Sequence, residues 1–78
     1  MAPAADTDDR LLALQVEVAG ARTRHADLER RAALMERNRL FASAQVLRIR
    51  RDRAAQDLRQ ASERLASYVS RKQRGLTK

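Results

Sequence analysis

"MERNRLFASA", Met35 to Ala44, is the stretch on which the fold turns. One apolar register ends on its N-terminal side and another begins on its C-terminal side. Upstream, Leu11, Leu14, Val18, Ala21, His25, Leu28, Ala32 and Met35 follow one another at alternating three- and four-residue steps. That is the a/d spacing of a helix with one apolar seam, and His25 is its polar member. Downstream, Leu40, Ala44, Leu47, Arg51, Ala54, Leu58, Ala61, Leu65 and Tyr68 repeat the pattern, with Arg51 as the charged member.

The two seams are out of phase. Extending the first past Met35 brings Arg39, Ala42, Val46, Ile49 and Arg53 into line, and its apolar character decays. Stutters and stammers insert four or three residues, and the five-residue step from Met35 to Leu40 matches neither. A chain reversal between Glu36 and Ser43 accounts for the step, with Asn38 or Ser43 available to cap the second helix. The expected fold is therefore all-α: an antiparallel two-helix coiled-coil hairpin, with helices about 45 Å long. Its alternative is one long coiled-coil helix, which the lack of Gly in the turn favours.

The expected boundaries are a disordered N-terminus over 1–6, helix over 7–36, bend over 37–42, basic helix over 43–74 and tail over 75–78. Asp6, Thr7, Asp8 and Asp9 supply the first cap and suit the positive end of the helix dipole. Arg71, Lys72 and Arg74 suit the negative end of the second helix, and Gly75 fits the left-handed position beyond it. Gly20 lies beside the first seam without ending it.

Composition agrees with long helices. Apolar residues make up 44 % of the chain but aromatics only 3 %, so Ala and Leu dominate and strand formers are scarce. With no Cys there is neither a disulfide framework nor a thiolate zinc site. No apolar run approaches the roughly 20 residues of a membrane helix, and the acidic N-terminus leads into no signal-type apolar core. The expected setting is cytoplasmic, without membrane insertion.

Seventy-eight residues make a marginal core, and two helices bury only one seam. Leu12, Val16, Phe41, Val46 and Ile49 lie off the seam and are candidates for an outer partner contact. A homodimeric four-helix bundle, or docking on a helical protein partner, would cover them. The packing anchors between the helices are Leu11, Leu14, Val18, Leu28 and Met35 against Leu47, Leu58, Leu65 and Tyr68.

Nothing in the pattern suggests an enzyme. His25 stands without enough carboxylates or a second His at helical spacing to make a metal site. No nucleophile has a base beside it, and Gly20 and Gly75 form no phosphate-binding loop. Neither a cofactor nor a small-molecule substrate is expected. Asp27–Arg31, Arg48–Asp52, Arg53–Asp57 and Arg59–Glu63 read as surface ion pairs at i,i+4.

The net charge of +7 is unevenly placed, because residues 1–47 sum to zero and residues 48–78 hold all of it. Arg48, Arg50 and Arg53 form one basic cluster around Arg51, and Arg71, Lys72, Arg74 and Lys78 form another. Such clusters meet an acidic protein surface or nucleic acid, or are simply solvated. No spacing of a known DNA-reading motif is present, and no aromatics are placed to stack bases.

Val46 to Arg74, "VLRIRRDRAAQDLRQASERLASYVSRKQR", resembles the Arg/Ala-rich helices of the stalk proteins beneath flagellar and type III secretion ATPases. That resemblance implies a long antiparallel coiled coil. It covers less than half of the chain, and in that family such a stretch opens a longer protein, whereas here it closes a short one. Small two-helix co-chaperones of secretion needles are similar in size and layout, though no residue motif ties the chain to them. The functional expectation is a non-enzymatic helical protein–protein interaction module: an adaptor, a small chaperone or an assembly subunit. Its alternative is a basic, nucleic-acid-associated helical dimer.

Overall fold

The computed structural model describes residues 8–76. The segment expected to be disordered, Thr7 as a cap, and Lys78 of the second basic cluster lie outside them. Within them the chain forms two helices, α1 (Asp9–Arg37) and α2 (Phe41–Leu76), which pack against each other as a hairpin 58 Å long. Ion pairs from Glu17 to Arg64, Glu29 to Arg51 and Glu36 to Arg48 fix the helices as antiparallel.

α1 starts where its cap chemistry places it. Asp8 is the N-cap, and its Oδ1 accepts from the Leu11 N–H at 3.0 Å. At the other end the helix closes with a Schellman motif. The Arg39 N–H donates to the Glu36 carbonyl at 2.9 Å, and the Leu40 N–H to the Met35 carbonyl at 2.8 Å. The motif needs a left-handed residue, and Arg39 supplies it at φ 60°. That conformation costs an L-residue about 1–2 kcal/mol, which is why Gly usually fills it. The turn is thus sharp although no glycine announces it.

The turn is shorter than the sequence pattern indicates. Asn38 caps the C-terminus of α1 rather than the start of α2. Leu40, expected on the second seam, instead precedes the first turn of α2: its carbonyl accepts from the Ala44 N–H at 2.9 Å, and its side chain is 51 % exposed. Ser43 lies inside α2. Gly75 also lies within α2 and has no positive φ, so the helix continues past the expected glycine stop and the expected tail is partly helical.

The core between the helices is made mostly of small residues. Leu14, Val18, Ala21 and Ala32 of α1 are buried with Ala44, Ala54 and Ala61 of α2. Small side chains let the two backbones approach closely. The larger seam residues, Leu11, Leu28, Met35, Leu47, Leu58, Leu65 and Tyr68, are half-buried at the edges of the contact, as is His25.

Candidate functional site

The open end of the hairpin is tied by a polar cluster. The Tyr68 hydroxyl lies 2.9 Å from both Asp8 carboxylate oxygens, and Lys72 Nζ sits 2.8 Å from Asp8 Oδ2. The Arg10 guanidinium stands 6.0 Å from the centre of the Tyr68 ring. Asp8 therefore does two jobs at once, capping α1 and holding the last turns of α2.

This arrangement moves the acidities involved. The Lys72 ammonium, then the Leu11 N–H and the Tyr68 hydroxyl, lower the Asp8 carboxyl from 3.8 to about 2. Hydrogen bonding to Asp8 raises both Tyr68 and Lys72 above their ordinary values. For the depressed Asp8, stability is present above its unfolded value and is lost as pH falls through about 2. For the raised Tyr68 and Lys72, stability is present below their unfolded values and is lost as pH rises through the folded ones. The cluster is closed across neutral pH and opens at both extremes.

Tyr68 is the chain's single tyrosine and there is no tryptophan, so ultraviolet titration reads it directly. It should ionise above 10, and Asp8→Asn should bring the midpoint back toward 10. An identical midpoint in the two proteins would mean that the cluster does not form.

The turn end has the opposite character. Leu34, Leu40, Phe41, Val46 and Ile49 are between 49 % and 63 % exposed there, while Leu12 and Val16 are exposed at the far end of α1. At roughly 100° per residue, Leu12, Val16 and Leu34 face away from the α1 seam, and Val46 and Ile49 face away from the α2 seam. The five residues expected to make an outer contact therefore occupy outward surfaces on both helices and not one flat face.

The basic residues differ in how they are engaged. Arg48 pairs with Glu36. Arg51, the charge on the second seam, reaches Asp52 at 2.9 Å and Glu29 at 3.7 Å, with its side chain 29 % exposed. That explains how the seam tolerates it: the guanidinium leaves by the edge and meets carboxylates there. Lys72 is taken up by Asp8. Arg50, Arg53, Arg71 and Arg74 are exposed. Of the expected i,i+4 pairs, Asp27–Arg31 forms at 3.1 Å, whereas Arg48 and Asp52 find the other partners just named. Arg48 turns to a carboxylate across the hairpin, and Asp52 is taken by its chain neighbour Arg51.

Among the described residues no three His, Cys, Asp or Glu side chains could together hold a metal ion. No helix among them is long and apolar enough to cross a membrane. Shallow grooves run between the helices, one lined by Arg10, Leu14, Arg64, Tyr68 and Arg71 and the next by Glu17, Arg24, Asp57 and Arg64. The chain matches no protein-family model, no curated protein and no solved structure.

Proposed function

We propose that the hairpin is a non-enzymatic protein–protein interaction module that works by helix packing, as an adaptor, a small chaperone or an assembly subunit of the kind found in secretion machinery. The observation behind this reading is that five large apolar side chains toward the turn end, Leu34, Leu40, Phe41, Val46 and Ile49, are left exposed on the outward surfaces of the two helices. Large apolar surface left exposed in this way marks contact sites on soluble proteins.

The favoured occupant is a second copy of the chain, with a heterologous helical partner as the other outcome. The surface area supports it. The chain exposes 6266 Å², whereas a compact monomer of its mass of 8.9 kDa exposes about 4,800 Å² by the usual scaling. The excess is larger than the roughly 800 Å² that each partner gives up in a standard interface. Pairing two hairpins into a four-helix bundle removes surface of that order and enlarges a core made mainly of alanine.

Phe41→Asp and Ile49→Asp test this reading. Both positions are exposed, so the hairpin itself should keep its helicity. Light scattering should show the wild-type mass at twice the chain mass or more, and the variants at the chain mass. A wild-type chain that is monomeric and captures no helical partner, or variants with unchanged association, would contradict it.

A further inference from the structure

One flat face of the hairpin carries two facing rows of charge. On α1, Arg10, Glu17, Arg24 and Arg31 recur every seven residues. On α2, Arg50, Asp57, Arg64 and Arg71 do the same. A seven-residue step returns a side chain to nearly the same side of a helix, so each set is a straight row. The rows face each other in antiparallel order. Arg64 Nη2 meets Glu17 Oε1 at 2.9 Å. Glu17, Arg24, Asp57 and Arg64 line one groove between the helices, and Arg10, Arg64 and Arg71 line the next. The same register sets Arg31 opposite Arg50.

Charges in the middle of this face are mixed, and its ends are basic. Arg10 and Arg71 stand at the open end, and Arg31, Arg50 and the neighbouring Arg53 at the turn end. Arg10, Arg24, Arg50, Arg53 and Arg71 have no carboxylate within ion-pair distance among the described residues. From Arg50 to Arg71 the helix rises about 32 Å, at roughly 1.5 Å per residue. One turn of duplex DNA is about 34 Å, so a straight rod laid along the duplex returns to the backbone of the same strand at that interval.

We propose that this face is a sequence-independent docking surface for the phosphate backbone of duplex DNA, separate from the apolar turn end. Charge complementarity and spacing select that occupant. The core of a protein–protein interface is depleted of charge, whereas these rows are charged from end to end. Arginine suits phosphate, because its fork donates two parallel hydrogen bonds to one anionic group. The rows also hold no aromatic residue to stack on bases, which favours the backbone over single-strand reading.

The test is binding of the full chain to a random-sequence duplex of about 30 base pairs, between about 50 and 200 mM salt. Five phosphate contacts per chain give a log–log slope near −4.5, at about −0.9 each. The variant carrying Arg50→Gln, Arg53→Gln and Arg71→Gln should have a slope near −2, with helicity unchanged because all three side chains are exposed. Polyglutamate at matched charge serves as a competitor. No binding at low salt, a slope near zero, or an unchanged slope in the variant overturns the proposal. So does polyglutamate competing as well as duplex DNA, which would identify an acidic protein surface instead. Phe41→Asp adds no carboxylate within four residues of Arg50, Arg53 or Arg71, so a failure here is distinguishable from a failure of the proposed association.

Discussion

Ala61→Asp should abolish the hairpin. Ala61 is 1 % exposed at the centre of the contact between α1 and α2, against a seam of other small residues. A carboxylate there has no room inside the seam, and reaching Arg24 or Arg64 in the groove beside it would pry the two helices apart. An unpaired buried charge costs about 3–5 kcal/mol, and Asp is also a poorer helix former than Ala. A chain of this size has at most roughly 4–12 kcal/mol of total stability, and a single-seam core belongs at the low end. The far-ultraviolet helix signal at 25 °C should fall sharply, with the thermal midpoint lowered by more than about 10 °C. Ala66→Asp is the control, because Ala66 is exposed on the same helix. It should cost no more than about 1 kcal/mol, the helix-propensity difference between Ala and Asp. Equal melting of the two variants would mean that the alanine seam does not hold the helices together.

The second large effect is a change of shape. The reversal depends on Arg39 holding φ 60° and on Asn38 closing α1. Replacing Arg39 by Ile puts a β-branched side chain where the left-handed conformation is a severe outlier. Replacing Asn38 and Leu40 by Ala favours helix through the turn. The Asn38→Ala, Arg39→Ile, Leu40→Ala variant should therefore run α1 into α2 as one helix about 100 Å long. Each seam would then find its complement on another chain, which is domain exchange through a hinge. Small-angle scattering should show the longest dimension rising from near 58 Å for the hairpin toward about 100 Å, increasingly so at high protein concentration. An unchanged dimension would show that the seams dictate the reversal without help from the turn.

That variant also marks what could and could not be read from the amino acids. The two-helix architecture was legible because the three-and-four spacing reports a helical seam directly, and the break between Met35 and Leu40 reports the reversal. The turn's construction was not, since the left-handed position that Gly normally advertises is filled by Arg39. Leu40 fits the period of the second seam, yet hydrogen bonding of the Schellman motif lifts it out before α2 begins. Gly75 looks like a stop, but a glycine can also sit inside a helix at modest cost. The cluster of Asp8, Tyr68 and Lys72 joins residues 60 and more positions apart. Its members were visible separately as a cap, a seam residue and a basic cluster. Only the register between the helices brings them together. The same holds for the facing rows of arginine, because heptad spacing places each row but says nothing of what stands opposite.

Paired spin labels test most directly the antiparallel register of one chain folded on itself. The chain has no native cysteine, so single cysteines at Glu17 and Arg64 can be labelled selectively. These side chains meet at 2.9 Å, and both are about half exposed, so losing their ion pair costs roughly 0–1 kcal/mol. The doubly labelled chain, diluted in excess unlabelled chain, should give one short distance of about 10–20 Å, set by helix axes roughly 8–10 Å apart and two label arms. A distance near 70 Å, which a continuous helix imposes at about 1.5 Å per residue, would contradict the account, as would a short distance that vanishes on dilution with unlabelled chain.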